Sequence, residues 1–376
     1  MLRLAITGAG GFLGWHVRTL LRALGRPEPI IVTRADLTDP DAVAAKIDGA
    51  DRVLHLAGVN RGDPAQVAAG NVQLAAQLAR GLRCCPTPPA AVVFANSVQA
   101  GNGTPYGDAK ATAANLLAGT GVALDDLLLP NLYGEHGRPF YNSVVATFCR
   151  LLASGGAPEV QNDREMVLVH ATDAAARLVG VPAGGSWDPA MPSLRTGVGE
   201  LAQRLSGFAD AYRRSEIPSL SDRHDVRLFN TYRSHVFPDH APMPLPRRAD
   251  ARGELVETVR VHDGGGQTFC SGSHPGVTRG EHFHLAKIER FVVLRGSAEI
   301  ALRRVGDADV VRFAVAGDEP VAVDMPTMWA HRITNTGPGE LITLFWTNEL
   351  FDPGRPDTYP EPVDLPALVP GVVMAG

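Results

Sequence analysis

The sequence predicts a doubly wound parallel α/β sheet followed by an all-β antiparallel barrel. Up to about residue 195, short apolar runs alternate with Ala- and Leu-rich segments in which apolar residues recur at helical spacing. Beyond about residue 250, apolar and polar residues alternate in short runs separated by Gly, Asp and Pro. A segment rich in Pro, His and Asp, SHVFPDHAPMPLPRRADARG, lies between the two patterns. We therefore expect two domains, residues 1–240 and 241–376, with a linker near 234–248.

The elements can be assigned in order along the chain. Residues 2–7 predict a strand that breaks at glycines and continues as the amphipathic helix FLGWHVRTLLRAL. Further apolar runs predict strands at 29–33, 52–56, 91–95 and 126–129, with helices such as AQVAAGNVQLAAQLARGL between them. GVGELAQRLSGFADAYRR predicts the last helix before the linker. Downstream, FVVLRG, AEIALRRV, DVVRFAV, PVAVDMP and LITLFWTNEL predict the strands of a barrel or jelly roll.

Composition narrows the class of protein. At 376 residues, with 45% hydrophobic and 20% charged residues, the chain can bury two ordinary cores. The net charge of -5 and the lack of Lys/Arg blocks argue against a general nucleic-acid surface and favour small-molecule partners. No run of eighteen apolar residues and no signal-peptide pattern is present, so we expect a cytoplasmic protein without a membrane segment. The few scattered cysteines are expected to be free thiols: Cys84, Cys85, Cys149 and Cys270.

The opening TGAGGFLG predicts a dinucleotide site. Gly8, Gly11 and Gly14 form a G-x-x-G-x-x-G turn between a strand and a helix, where a pyrophosphate can approach the backbone and the positive end of the helix. A purely structural tight turn is the alternative. Arg34 follows the second strand, where it can hold a 2′-phosphate, and this favours NADPH. Asp36, two residues on, leaves NAD open.

Ser97, Tyr106 and Lys110 predict carbonyl reduction. Hydride transfer to a ketone needs a proton donor, and a tyrosine beside a lysine ammonium has a lowered pKa. The Ser97 hydroxyl can hold the carbonyl oxygen. Tyr106 and Lys110, four residues apart in YGDAK, are also common as a plain surface pair.

With HLAGVNR at 55–61, these motifs make residues 1 to about 200 resemble the extended short-chain dehydrogenase/reductases, most of which act on nucleotide sugars. The resemblance implies a set of cofactor contacts: Gly8, Gly11, Phe12, Leu13, Gly14, Arg34, Leu56, Ala57, Gly58, Asn71 and Lys110. It also implies substrate contacts at Asn131 in PNLYG, Asn142, Ser143 and Arg164, for the last three of which an ordinary polar surface is the alternative. The sequence departs from the family in its short interval between Ser97 and Tyr106 and in Leu128, where an arginine is usual.

A second set of residues predicts a metal site in the barrel. His282 and His284 alternate onto one face of a strand, Glu289 follows, and His331 returns from a later strand. Three imidazoles and one carboxylate suit zinc or another divalent ion, with room left for water or substrate. With Gly280, Gly296, Gly317, Pro326 and Asn335, these residues make 250–350 resemble the cupin superfamily.

DARGELVE and GVTRGEHFH further resemble the sugar-nucleotide 3,5-epimerase branch of the cupins. That resemblance leaves His282 two possible roles, metal ligand or metal-free base. Epimerisation beside a ketone needs a base and stabilisation of an enolate oxygen. Lys287 is a candidate base, and a solvated lysine on the turn is the alternative.

The order of the two domains, with PYGDAK, FYNSVVATFC and TNELFDPGRPDTY, resembles the bifunctional capsular polysaccharide enzymes of the CapF type. The resemblance implies a homodimer and a UDP-2-acetamido-2,6-dideoxy-4-ketohexose substrate. The barrel would epimerise this sugar at carbon 3, and the N-terminal domain would reduce carbon 4 with NADPH, towards UDP-N-acetyl-6-deoxy-L-talosamine and N-acetyl-L-fucosamine. Two alternatives stay open: a single-site reductase with a structural barrel, and a dinucleotide-sensing regulatory protein without turnover.

Overall fold

The computed structural model describes residues 2–365. A five-stranded parallel sheet forms the centre of the first, N-terminal, of its two compact units. Its strands are β1 (Leu4–Thr7), β2 (Ile30–Val32), β3 (Arg52–His55), β4 (Ala91–Ser97) and β5 (Ala123–Leu129). Their spatial order is β2-β1-β3-β4-β5. Because the strand order reverses beside β1, a crevice opens between the carboxyl ends of β1 and β3, where doubly wound sheets bind ligands.

Helices connect these strands: α1 (Phe12–Ala23), α2 (Pro40–Ile47), α3 (Pro64–Cys84) and α4 (Pro105–Ala118). The second, third and fourth begin with a side-chain cap, from Asp39, Asp63 and Thr104 respectively, followed by proline. Together these three helices bury one face of the sheet around Val53, Val92 and Phe94, with Leu78 of α3 and Ala113 of α4.

The predicted strands are all present, and the largest difference lies in β5, which starts three residues before the predicted strand. Its first half, ALDD, contains two acidic residues and therefore does not show the apolar pattern that predicts a strand. These acidic residues are tolerated because β5 is the edge strand and Asp125 pairs with Arg177 at 2.9 Å. The predicted free thiols are confirmed, since all four cysteines are unpaired.

The first unit also contains a smaller sheet of β6 (Asn131–Tyr133), β7 (Glu165–His170) and β8 (Ser193–Gly197). Four helices follow or separate these strands: α5 (Val144–Ala153), α6 (Ala171–Val179), α7 (Val198–Arg213) and α8 (Arg223–Val236). The prediction that α7 is the last helix is wrong. Helix α8 was not predicted because many of its buried residues are polar or charged and give no apolar pattern. Arg227 and Arg233 are among them, and hydrogen bonds accommodate both inside the fold.

The chain divides into two compact units. One comprises the chain to Asp210 together with Leu220–Val236, and the other comprises Ala211–Ser219 with the chain from Phe237 onward. The expected linker near 234–248 instead contains the end of α8, the short strand β9 (Met243–Pro244) and the start of β10 (Arg247–Asp250).

The second unit is all-β, as predicted. Its remaining strands are β11 (Gly253–Val256), β12 (Gln267–Ser273), β13 (Thr278–Phe283), β14 (Glu289–Arg295), β15 (Ser297–Arg304), β16 (Val310–Ala316), β17 (Val321–Met325), β18 (Trp329–Asn335), β19 (Leu341–Thr347) and β20 (Tyr359–Pro360). They form two five-stranded antiparallel sheets, β12-β19-β14-β17-β9 and β16-β15-β18-β13-β20, and the hairpin β10-β11. The inward residues of both sheets form one apolar core that includes Phe291, Ile300, Leu302 and Phe345. This is the antiparallel jelly-roll architecture expected of a cupin.

Across residues 2–365, none of the helices combines the length and the apolar character needed to cross a bilayer.

Candidate active sites

The glycine turn after β1 is closely packed. The Gly11 N–H donates to the Gly8 carbonyl at 3.0 Å, and Gly8 has a left-handed φ of 75°. A Cβ at Gly14 would lie 2.2 Å from the Gly8 oxygen, and one at Gly8 would lie 2.7 Å from the Ala57 nitrogen. Larger residues therefore do not fit at either position.

Helix α1 begins at this turn without a side-chain cap. Its first N–H groups, over Phe12 and Leu13, are therefore available to an anion such as a pyrophosphate. Leu56, Ala57 and Gly58 follow β3, beside Gly8. The predicted cofactor residues of the two loops thus meet at the crevice between β1 and β3.

The end of β2 carries two charged residues in different settings. The Asp36 carboxylate accepts from the backbone N–H and hydroxyl of Thr33, each at 2.6 Å, and from Lys46 Nζ at 2.7 Å. Although partial desolvation opposes it, these contacts lower the pKa of Asp36 to about 2. Arg34 is exposed beside it. Arg34 is therefore the more available group for contact with a bound nucleotide.

The predicted reductase residues are brought together at β4 and α4. Ser97 ends β4, while Tyr106 and Lys110 lie on successive turns of α4, and the side chains of Ser97 and Tyr106 lie within interaction range of each other. Burial raises the pKa of Tyr106 although Ser97 acts in the opposite direction, so the lowered pKa expected for a tyrosine beside Lys110 is wrong.

Lys110 is buried behind them. Its Nζ donates to the Ala95 carbonyl at 2.8 Å and lies 4.1 Å from the centre of the Phe94 ring. Burial lowers the pKa of Lys110 to about 8, while Asp126 acts in the opposite direction. The ammonium is thus held against β4 by a backbone carbonyl and an aromatic ring.

Two polar residues at the ends of β1 and β3, Thr7 and His55, were not predicted as site residues. Thr7 Oγ1 lies 2.8 Å from His55 Nδ1 and accepts from the Ala57 N–H at 3.2 Å. The His55 ring stacks on Phe94, and burial followed by the charge of Lys110 lowers its pKa to about 3. His55 is therefore neutral and fixes the ends of β1 and β3.

Asn71 also acts on this loop. Its side chain donates to the Val59 carbonyl at 2.7 Å and accepts from the Val59 N–H at 3.3 Å. Asn71 is buried, so it shapes the backbone that follows Gly58.

The four predicted substrate residues have different local settings. Asn131 is exposed on β6, Asn142 is exposed with a left-handed φ of 58°, and Arg164 is exposed before β7. Ser143 caps α5, where its hydroxyl accepts from the Ala146 N–H at 3.3 Å. This cap gives Ser143 a structural role of its own.

A buried polar network supports the segment that follows Asn131. Asp173 binds Arg223 at 2.8 Å and also binds Arg227, and both arginines come from α8. Tyr133 is hydrogen-bonded to His224 at 2.9 Å. The sequence offered no motif for this network because its members lie on α6, α8 and β6.

In the barrel, the four predicted metal ligands form one cluster. The donor atoms of His282, His284, Glu289 and His331 all lie within 4.8 Å of one another. Glu289 Oε2 lies 3.0 Å from His284 Nε2 and 3.3 Å from His331 Nε2. His331 Nε2 is buried without a hydrogen bond, as a free ligand nitrogen would be.

Two of the imidazoles are oriented by a backbone carbonyl. His284 Nδ1 bonds to the Asp357 oxygen at 2.5 Å, and His331 Nδ1 bonds to the Trp329 oxygen at 3.1 Å. Such bonds fix the tautomer and direct the second ring nitrogen at a metal. The residues therefore fit a divalent ion with three nitrogen ligands and one oxygen ligand.

Lys287 lies on the loop between two of these ligands and is buried, so the alternative of a solvated lysine is wrong. Its Nζ donates to the Pro356 carbonyl and lies 4.0 Å from Glu349 Oε1. The ammonium thus contacts the C-terminal segment.

Comparisons with known proteins match both halves of the chain. Residues 4–181 match the NAD dependent epimerase/dehydratase family, and residues 248–359 match the polysaccharide biosynthesis C-terminal domain. The chain is 30% identical over 368 residues to a UDP-2-acetamido-2,6-beta-L-arabino-hexul-4-ose reductase of Pseudomonas aeruginosa, covering 95% of this chain and 98% of that protein.

Solved structures also match both halves of the chain. The capsular polysaccharide assembling protein CapF from Staphylococcus aureus is 30% identical, with a TM-score of 0.58, over 96% of this chain and all of that one. A structure of CapF with the inhibitor 3-isopropenyl-tropolone is 28% identical over the same shares, with a TM-score of 0.53.

The fold and the site residues define an enzyme of the sugar-nucleotide reductase/epimerase class, whose N-terminal family implies a nicotinamide cofactor. More particularly, the chain belongs to the CapF-type family of capsular polysaccharide proteins, in which an epimerase/dehydratase domain precedes a polysaccharide biosynthesis C-terminal domain.

Proposed function

We propose that this chain is a bifunctional nucleotide-sugar enzyme. The barrel epimerises a UDP-2-acetamido-2,6-dideoxy-4-ketohexose at carbon 3, and the N-terminal domain reduces the carbon 4 ketone with NADPH. The product is a UDP-N-acetyl-6-deoxy-L-talosamine sugar, a precursor of N-acetyl-L-fucosamine in surface polysaccharide. The observation that carries the proposal is that one chain contains both the Ser97, Tyr106 and Lys110 set at β4 and α4 and a cluster of three imidazoles and a carboxylate.

In the reduction, Tyr106 donates its phenolic proton to the carbon 4 oxygen, and Ser97 holds that oxygen by a hydrogen bond. The cofactor, when bound, supplies the hydride that forms the new C–H bond at carbon 4. Lys110 lies one turn further along α4, and in this proposal its ammonium favours the phenolate that remains, against the burial that raises the pKa of Tyr106. The ketone thus becomes an alcohol, and solvent returns the proton to Tyr106.

NADPH is the proposed cofactor because of the contrast at the end of β2. The carboxylate of Asp36 is bound to Thr33 and Lys46, which reduces its capacity to accept from a ribose hydroxyl. Arg34 is exposed and can pair with a 2′-phosphate.

Epimerisation requires a base to take the carbon 3 proton, for which Lys287 on the loop between two ligands is the candidate, and delivery of a proton to the opposite face, while the electron pair is held on the carbon 4 oxygen. A divalent ion on the four-residue cluster would serve as the Lewis acid at that oxygen. Zinc or another borderline ion suits these ligands. We assign His282 the role of a ligand, because its ring nitrogen lies within 4.8 Å of the ligand atoms of the other three residues.

The inhibitor in one of the CapF structures is consistent with this assignment. It is a tropolone, which carries adjacent oxygens able to chelate a divalent ion. The same compound is therefore a useful probe of the barrel in this chain.

A second candidate is a single-site reductase whose barrel serves only to join two copies of the chain. It is favoured by the name of the P. aeruginosa relative, which mentions reduction alone. A regulatory sensor is disfavoured, because sensing does not need the proton donor that Tyr106 provides.

Incubation of the protein with the 4-keto UDP-sugar and NADPH tests the proposal. Loss of NADPH absorbance together with an inverted carbon 3 in the product supports both activities, and NADH in place of NADPH should react more slowly. A reduced product with unchanged carbon 3 would favour the single-site reductase.

A further inference from the structure

A C-terminal strap, residues 356–364, supplies the edge strand next to β13 in one of the two barrel sheets. Its strand β20 pairs with β13, which carries the first ligand. The fully buried Arg303 donates to the carbonyls of Pro362 and Val363 at 2.6 and 2.8 Å, and Val363 itself is buried. The strap is therefore a fixed part of the barrel.

Asp357, in this strap, binds the loop that joins the ligands His284 and Glu289. Its carboxylate accepts from three consecutive backbone N–H groups, those of Leu285, Ala286 and Lys287, at 3.1, 2.9 and 2.7 Å. Asp357 is only 5% exposed, so these charge-assisted bonds form away from water. It also has a left-handed φ of 43°, a conformation that costs a non-glycine residue free energy and persists only where the surroundings demand it.

The backbone of Asp357 binds a ligand directly. Its carbonyl accepts the proton of His284 Nδ1 at 2.5 Å, and this bond leaves His284 Nε2 facing Glu289 at 3.0 Å. The strap makes a further contact next to Asp357, where the Pro356 carbonyl accepts from Lys287 Nζ. One residue thus fixes both a ligand and the loop that follows it.

We propose that Asp357 is the positioning residue of the metal centre and acts through His284 and the loop. This inference rests on the proposed function and adds residues that no ligand motif contains. A loop already held in the binding geometry loses less conformational freedom when it takes up a metal. Partners of this kind typically change metal affinity by about 10–100-fold.

The test compares Asp357→Asn and Asp357→Ala with Asp364→Asn. Asp364 lies at the other end of the strap, and its carboxylate pairs with Arg312 and Arg332, which makes it a matched control. Zinc affinity, measured by competition with a chromophoric chelator, should weaken about 10–100-fold in both Asp357 variants and stay unchanged in the control. The absorption bands of the cobalt-loaded protein should shift in the Asp357 variants alone.

Hydrogen exchange in metal-free protein supplies a second measurement. The amides of residues 285–287 should exchange faster in the Asp357 variants than in the wild type or the Asp364→Asn protein. If Asp357→Ala fails to fold, Asp357→Asn carries the comparison. Wild-type affinity, spectrum and exchange in the Asp357 variants would overturn the inference. A wild-type protein that binds neither zinc nor cobalt would overturn the metal centre itself, whatever the exchange shows.

Discussion

His282 lies directly opposite His331 in the β13–β18 ladder because Glu281 is bulged out of it. Gly280 pairs with Arg332, and the next paired position is His282 with His331. Glu281 has a left-handed φ of 60°, and Gly280 has a φ of 109°. Without the extra residue, the pairing of the two strands would shift by one position. The side chain of His282 would then lie on the opposite face of the sheet from His331, because successive side chains alternate between the two faces.

Gly280→Ala should disrupt this arrangement. The added Cβ would lie 2.6 Å from the His331 carbonyl oxygen, and the backbone conformation is unfavourable for alanine. We expect the free energy of unfolding of the barrel to fall by about 1–3 kcal/mol, with weaker zinc binding. Thermal unfolding monitored with and without zinc measures both. Unchanged stability and affinity would show that the bulge does not need a glycine.

Gly14→Ala should weaken cofactor binding, and Gly10→Ala should not. A Cβ at Gly14 meets the Gly8 oxygen and Ala9, whereas a Cβ at Gly10 has no atom within 4 Å. A loss of about 1.4 kcal/mol from the displaced turn corresponds to a tenfold weaker NADPH affinity. Fluorescence titration of the two purified variants gives the comparison. Equal affinities would contradict the placement of the pyrophosphate at this turn.

The reduction should lose activity as the pH rises through about 8. The pKa of Lys110 is lowered to about 8 by burial, so the ammonium that favours the Tyr106 phenolate deprotonates there. The profile of kcat/KM measured over pH 6–10 should show this step, and Lys110→Met should remove it. A rate that rises through this range would contradict the role of the ammonium.

The same shift predicts a change in stability with its own sign. The pKa of Lys110 is lowered in the folded state. The unfolded chain therefore binds more protons than the folded chain at pH values between about 8 and the ordinary pKa of lysine. The free energy of unfolding therefore increases, and the folded state becomes more stable, as the pH rises through that window. Comparing wild type with Lys110→Met by denaturant unfolding at both ends isolates this contribution.

The sequence predicted both folds and the residues that gather at their sites because these depend on local patterns. The glycine turn, the Tyr106–Lys110 spacing and the alternation of His282 with His284 are all properties of neighbouring residues. The partners of these residues were not predictable in the same way. Asp357 contacts a loop about seventy residues earlier, and nothing in PDTY indicates where the strap returns.

The burial and the contacts of individual side chains also could not be predicted from the sequence. Lys287 has the sequence context of a turn, and its burial depends on the strap. Helix α8 was missed because Asp173 accommodates its arginines inside the fold. Asp36 suggested a ribose contact until Lys46 and Thr33 were seen to bind it.

His331→Ala should remove the metal and the epimerisation together. It deletes a buried ligand nitrogen, which leaves three ligands and a cavity. Zinc content by mass spectrometry and deuterium exchange at carbon 3 of the sugar should both fall to background, while NADPH affinity stays at the wild-type value. Exchange that persists in metal-free protein would instead favour His282 as the base.

The most direct test of two activities in one chain is Tyr106→Phe in deuterated water. The variant lacks the proton donor of the reduction and leaves the barrel unchanged. The 4-keto UDP-sugar should still gain deuterium at carbon 3, as followed by NMR, while NADPH oxidation falls by a factor on the order of 10²–10⁴. Loss of both activities together, or full NADPH oxidation by the variant, would contradict the account.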